Sequence, residues 1–207
     1  MNKIDCINNK LVIASSNKEK LIEITSFFKD FDLSIYLQSD FGIHTNDERN
    51  NTFIENALNK ARHVSRLTGL PSLAEDSGLC VNSLSGAPGI FSARYSSFSN
   101  KENSDSKLNN ELLIKNLKGL EDRRAYYISI VVILRNPNDH RPLITEGILH
   151  GEIVEKASGN NGFGYDPHFF VPSIGKTLAS ITLSEKNKIS HRAKAFEKMI
   201  QKLKFTN

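Results

Sequence analysis

The chain has 207 residues, 39% hydrophobic and 24% charged, and carries a net charge of +4. That length holds one domain, with or without two lobes, and a full core; the small, dispersed positive excess suits an anionic ligand but falls short of a nucleic-acid surface. No apolar run approaches the ~18 residues of a membrane span, and the N-terminus lacks the apolar stretch of a secretion signal. Cys6 and Cys80 fit neither a zinc spacing nor a disulfide framework. A soluble protein of the reducing cytoplasm, with no nucleic-acid or membrane partner, is therefore expected.

Lys10–Ser15 reads as a buried strand. Ser15, Ser16 and Asn17 supply a turn and a cap, and Lys18–Phe28 follows as a helix with Leu21, Ile24 and Phe28 on its inner side. A strand feeding a helix N-terminus is a ready anion site, because unpaired N–H groups and the helix dipole point at one spot. Lys18 and Lys20 either add charge there or are solvated, as lysines in a first turn usually are. The P-loop pattern is absent. Leu33–Leu37 is a second strand, and the polar loop after it carries Asp47 and Glu48. Those acids matter only if the fold brings them opposite Asp76.

Thr52–Thr68 is the clearest helix. At 100° per residue Leu67, Phe53, Val64, Ala57, Thr68 and Ala61 form one stripe, and Lys60 falls inside it. An ammonium there either snorkels to water or meets an anion, which would be a bound phosphate or the acids of the next strand. Gly69-Leu70-Pro71 ends the helix. The stretch from Leu73 to Tyr95 comes next. Its apolar run ends in Glu75 and Asp76, with Ser77 and a turn glycine, Gly78, directly after. Leu79–Leu84 then leads as a strand-like segment into the corner Ser85-Gly86-Ala87-Pro88-Gly89, and the chain leaves it with Arg94 and Tyr95. Acid at a strand end beside glycine and a cation suits a metal–phosphate site. An ordinary turn with Asp and Ser as caps is the alternative.

Leu108–Leu117 is a short helix, and Ala125–Leu134 a continuous apolar run expected at the centre of a sheet. Pro142–Leu149 returns as its hairpin partner, where Gly147 and Gly151 point to a bulge or a close backbone approach. In Ser158–Pro172 glycine alternates with aromatics around Asp166. Either Phe163 or Tyr165 could stack on a base there, or the aromatics pin a turn. Lys186 precedes a cap at Ser190, and His191 and Arg192 open a last helix with Ala193, Phe196, Ile200 and Leu203 inside.

Several of these stretches, in order from about residue 10 to 205, resemble the inosine/xanthosine triphosphate pyrophosphatases. They are Ala14 to Lys20, Thr52-Phe53 through Glu55-Asn56-Ala57 to Lys60-Ala61, Asp76-Ser77-Gly78-Leu79, Gly86 to Gly89, Ser92 to Tyr95, Gly162 to Pro167 and Ser190-His191-Arg192. The resemblance implies an α/β fold, elongated and two-lobed, around a mixed, curved β-sheet with flanking helices and a central nucleotide cleft. It also implies a homodimer and a Mg²⁺-dependent cut of ITP, dITP or XTP into monophosphate and pyrophosphate. Residue by residue, Ser15, Ser16, Asn17, Lys18, Glu19 and Lys20 would line the triphosphate and Lys60 would reach it. Asp76 would bind metal with Glu48 or Asp47 and serve as the base. Ser77, Phe163, Gly164, Tyr165, Asp166, Lys186, His191 and Arg192 would bind the nucleotide, with His191 and Arg192 reading the 6-position of the purine.

The chain departs from that pattern at Ser16, which replaces a usual glycine and would be strained if the position needs φ above zero. Glu75 stands where a second Asp is common, with little consequence expected. The acidic loop lacks its usual glycine. Two other readings fit the same features: a related pyrophosphatase for pyrimidine or modified-base triphosphates, and a nucleotide- or RNA-binding protein without turnover.

Overall fold

The computed structural model describes residues 7–44, 50–98 and 105–205. Seven strands, β1 (Lys10–Ile13), β2 (Ser34–Leu37), β3 (Ser72–Val81), β4 (Arg124–Leu134), β5 (Leu143–Ile153), β6 (Phe169–Val171) and β7 (Lys176–Thr177), form one sheet in the order β2-β1-β3-β4-β5-β6-β7. β1 runs parallel to β2 and β3, whereas β6 is antiparallel to β5 and β7, so the sheet is mixed, as expected. Helix α1 (Lys18–Phe27) follows β1, α2 (Phe53–Thr68) precedes β3, and α3 (Ser106–Asn116) precedes β4; α4 (Leu183–Ile189) and α5 (His191–Phe205) close the chain. β4 takes the middle of the sheet, and its residues 129–134 are all buried.

The chain forms two compact units. The first holds Met1–Asp76, Ser129–Gly147 and Arg192–Asn207. Its core joins Leu11 and Ile13 of β1, Ile24 of α1, Leu73 of β3, Val131 and Ile133 of β4 and Phe196, Met199 and Leu203 of α5. Phe196 is the keystone: its ring stacks on Phe27 at 5.0 Å and meets Phe28 edge-on at 5.9 Å. Burying one such ring contributes about 1.5–3 kcal/mol. The second unit holds Ser77–Ile128 and Ile148–His191, with a core of Leu79, Val81, Leu113, Tyr127, Leu149, Tyr165, Phe169 and Leu178 among others. The close approach expected at Gly151 is present here. A Cβ on it would lie 2.5 Å from the Phe170 carbonyl oxygen and 2.6 Å from the Phe169 ring.

Three local expectations change. Gly78 is not a turn: β3 runs unbroken from Ser72 through the acids to Val81. Leu67, placed in the inner stripe of α2 by its angle, is 62% exposed, while Asn56 and Ser65 are buried with Ala57, Lys60, Ala61 and Val64. A helical wheel gives a direction, and it does not say whether anything lies there at the last turn. Finally, α4 forms from a segment read only as a lead-in to Ser190. Its signal was Thr182 with Glu185, a reciprocal capping box. Ser190 does sit, extended, directly before the first residue of α5. Among the described residues no helix is long and apolar enough to cross a membrane.

The turn after β4 is closed by one carboxylate. Asp139 accepts from the Arg135 side chain at 2.6 and 2.8 Å and from the backbone N–H groups of Arg135 and Arg141 at 3.0 and 2.9 Å. The Arg135 side chain leads in holding the Asp139 carboxyl down to about 2, against its own burial. Its unfolded value is ~3.9, so this stabilisation is complete above about pH 4 and is lost as pH falls towards 2. Thermal melts of Asp139→Asn should therefore lie well below wild type at about pH 6, with the gap narrowing as pH approaches about 2. A gap that stays constant with pH would show that the carboxylate's charge is irrelevant.

Candidate functional site

In the first unit, parallel pairing of β1 with β3 fixes Val12 opposite Ser72 and Ile13 opposite Leu73, with Ala14 N–H donating to the Leu73 carbonyl at 2.7 Å. The chain leaving β1 therefore passes beside the acids of β3. Asn17 caps α1 by accepting from the Lys20 backbone N–H at 2.8 Å, and Ser15 Oγ accepts from the Asn17 N–H at 3.2 Å. Ser16, Asn17, Lys18 and Glu19 are exposed, leaving the helix N-terminus open to an anion. Ser16 is not strained: among the described residues, non-glycine φ values above zero occur at Asn8, Asn9 and Ser85.

Successive residues of a strand point to opposite faces, so Glu75 and Asp76 part company. Asp76 turns to α2, where Lys60 Nζ donates to its Oδ1 at 2.8 Å and to the Glu75 carbonyl oxygen at 2.9 Å. Asn56 Nδ2 donates to Asp76 Oδ2 at 3.3 Å, and its Oδ1 accepts from the N–H and side chain of Asn50, both at 3.1 Å. Lys60 is 5% exposed, so it meets the acid of the next strand and does not snorkel. Glu75 turns to α1 and α5. It is 2% exposed, pairs with Lys20 Nζ at 2.8 Å, and accepts from Ser129 Oγ at 2.8 Å and Arg192 Nη2 at 3.2 Å. Arg192, 1% exposed, also donates to Glu23 of α1. Burial works against the guanidinium's charge, and the carboxylates of Glu75 and Glu23 more than reverse it, raising its pKa above the ordinary value. Among the described residues Lys20 and Arg192 thus face Glu75 and Glu23, and Lys60 faces Asp76.

In the second unit, Lys186 Nζ pairs with Asp166 Oδ2 at 2.8 Å, both side chains 3% exposed, and lies 4.7 Å from the centroid of the Phe163 ring. The Phe163 N–H donates to Asp166 Oδ2 at 3.0 Å, which closes the turn. Gly162 is required in it: φ is +72°, and a Cβ would fall 2.1 Å from Asp166 Oδ2. Tyr165 is a core residue, 3% exposed, with its hydroxyl donated to the Ser92 carbonyl at 2.8 Å. Of the two rings proposed for stacking, Phe163 is the one left half-buried. His191 lies flat on Tyr127 at 4.7 Å. Burial, then the charge of Asp166, pushes the Tyr127 hydroxyl well up. Ser77 is half-buried in β3.

Of the sequence-derived residues, Lys60 pairs with Asp76, Lys20 pairs with Glu75 on the opposite face of β3, and Phe163, Asp166 and Lys186 come together in the other unit. Asp47 and Glu48 lie outside the described residues. Sequence reasoning missed Glu23, Asn56 and Ser129. Asn56 stood in a quoted motif; the signal for Glu23 and Ser129 was a polar residue set between two isoleucines, which does not name the partner it will meet. A hollow of ≈ 700 Å³ in the second unit, lined by Lys107, Asn110, Ile114 and Pro167 among others, contains none of the predicted site residues. As for a metal, among the described residues no three His, Cys, Asp or Glu side chains converge. Mg²⁺ needs only one or two carboxylates beside phosphate and water oxygens, and Asp76, already holding the ammonium of Lys60, has the hard anionic oxygens it takes.

Breaking a buried pair by removing one partner costs about 3–5 kcal/mol. Lys60→Met should lose about that much in urea unfolding, and Lys60→Met/Asp76→Asn should recover at least about half of it. Additive losses in the double variant would rule out the pairing.

The protein-family comparison matches residues 11–202 to the Ham1 family. A dITP/XTP pyrophosphatase of Nitrosomonas europaea is 49% identical over 195 residues, 94% of each chain, and one of Bordetella pertussis is 48% identical over 95% of this chain and 92% of its own. The solved structure of a HAM1 protein from Coxiella burnetii superimposes with a TM-score of 0.88 at 39% identity, covering 95% of this chain and 99% of that one. By family model, sequence and fold together, this chain belongs to the Ham1 family.

Proposed function

We propose that this protein is a nucleoside-triphosphate pyrophosphatase that hydrolyses ITP, dITP and XTP to the monophosphate and pyrophosphate. The observation that carries this reading is the buried pairing of Lys60 with Asp76 on β3, the strand beside which the chain leaves β1 for the open N-terminus of α1, in a chain whose relatives bear that name. Lys60 is already paired with Asp76, so a triphosphate arriving with its own counter-charge is favoured, as a Mg²⁺-bound substrate would be. Asp76 is the proposed carboxylate for that ion, with Glu48, or Asp47 beside it, as a second. The support is that Asn50, close along the chain, is tied through Asn56 to Asp76. Mg²⁺, when bound, would neutralise phosphate charge and lower the pKa of a coordinated water.

The chain's own residues supply the rest. The N–H groups at residues 15–20 and the ammoniums of Lys18 and Lys20 receive phosphate oxygens. Lys60, given a second anion, shifts from Asp76 to the triphosphate and so leaves Asp76 to accept a proton from water. That water's oxygen bonds to the α-phosphorus, the bond to the bridging oxygen breaks, and pyrophosphate leaves with its charge offset by lysines. Phe163 offers its half-buried face to the purine, held from behind by Lys186 and Asp166. Hypoxanthine and xanthine present an acceptor at the 6-position where adenine presents a donor, so an N–H donor of His191 would favour the former. Arg192, expected to bind the nucleotide and read its base, is proposed to hold Glu75 and Glu23, with which it pairs. A homodimer in the cytoplasm completes the proposal.

Pyrophosphate release from ITP, XTP, GTP, ATP and UTP, each with and without Mg²⁺, tests the reading. Release should be confined to ITP and XTP and vanish without metal. Asp76→Asn, with unchanged circular dichroism, should lose at least ~10²-fold in turnover. Equal release from ATP would refute the base assignment, preference for UTP would move the protein to a pyrimidine-directed enzyme, and near-normal turnover in Asp76→Asn would sink the mechanism.

A further inference from the structure

Helix α3 carries no residue of the proposed site, yet its asparagines hold two segments of the second unit. Asn109, 5% exposed, accepts from the Ser96 N–H at 2.7 Å and hydroxyl at 2.8 Å and donates to the Ala93 carbonyl at 3.2 Å. Asn116 Nδ2 donates to the Tyr95 hydroxyl at 2.9 Å. Both bind the segment after the Gly86–Gly89 corner. Asn110 reaches elsewhere. Its Nδ2 donates to the Ser106 carbonyl and to the Gly164 carbonyl, each at 2.9 Å.

Asparagine inside a helix competes with the helical hydrogen bonds and is a poorer helix former than alanine or leucine. Its presence at 110 therefore calls for a compensating role, and the bond to Gly164 is the one that leaves the helix. Gly164 directly follows Phe163 in the turn closed by Asp166. The turn's other anchors include Phe163 N–H to Asp166 within it, and Lys186 to Asp166, Ala179 N–H to the Asp166 carbonyl and Tyr165 to Ser92 outside it. On the α3 side Leu113 joins Tyr165 in the core, and alongside lies the ≈ 700 Å³ hollow, lined by Asn110, Ile114, Pro167 and His168 among others. The Asn110 bond ties the turn to the helix at the margin of this hollow.

We propose that Asn110 is a positioning residue for the purine base: by holding the Gly164 carbonyl it fixes the plane of the Phe163 ring. The proposal rests on the reading of Phe163 as the stacking face. Loss of this tether should weaken contacts to the base and spare contacts to the triphosphate.

The test compares wild type with Asn110→Ala in three measurements. The KM for ITP should rise about tenfold with kcat changed by no more than about threefold. Inhibition by inorganic tripolyphosphate, which has no base, should be unchanged. Amide hydrogen exchange at residues 163–166 should quicken, while that of α2 stays as in wild type. Asn110→Gln, which keeps the carboxamide, should recover part of the KM. An unchanged KM for ITP in Asn110→Ala overturns the proposal, and so does an equal loss of ITP and tripolyphosphate binding, which would mean general damage to the fold. The functional reading fails separately: wild type releasing no pyrophosphate from ITP overturns both, whereas an active wild type with an unaltered variant overturns the positioning role alone.

Discussion

The buried carboxylate of Glu75 is the constraint on which the first unit turns. At 2% exposure it needs cations and donors, and it takes them from three directions: Lys20 from α1, Arg192 from α5 and Ser129 from β4. An unpaired charge at that depth would cost several kcal/mol, so each of these elements is held in register by electrostatics as well as by the apolar core around Phe196. Glu23 extends the demand by one more partner of Arg192. Removing Arg192 would take a cation from both Glu23 and Glu75 and raise the cost of burying each.

The alternation of β3 makes the arrangement productive. Two adjacent acids look in sequence like a joint ligand pair, but a strand sends them to opposite faces. Glu75 is spent on architecture, and Asp76 is presented to Lys60 and Asn56 on α2. This separation lets one acid be fixed while its neighbour holds the Lys60 ammonium and has oxygen atoms suited to a metal. The same division appears in the second unit, where Asp166 closes a turn and pairs with Lys186 while Phe163 stays half-buried.

Much of this was legible in the residues. The strand at Lys10, the helices at Lys18 and Phe53 and the central strand at Ala125 all announce themselves by period, and the motifs around Lys60, Asp76 and Asp166 lie where polar residues interrupt apolar ones. The capping box at Thr182 was equally local and was passed over because α4 is short. Gly78 misled for a physical reason: glycine after two acids is common at turns, yet it also fits a strand. Leu67 misled because its angle placed it among residues that are covered while it is not.

What the sequence by itself determined is the part governed by short range: helix and strand periodicity, caps, the charge balance, and the motif order that names the family. Which cation meets which anion was decided by tertiary structure. Arg192 and Glu75 are far apart in the chain, as are Lys186 and Asp166 or Asn110 and Gly164, and no spacing rule links them. A charged or polar side chain reads alike in sequence whether it meets water, a phosphate or a buried partner. Only folding, by removing the water, makes that choice and fixes which groups remain to bind a substrate.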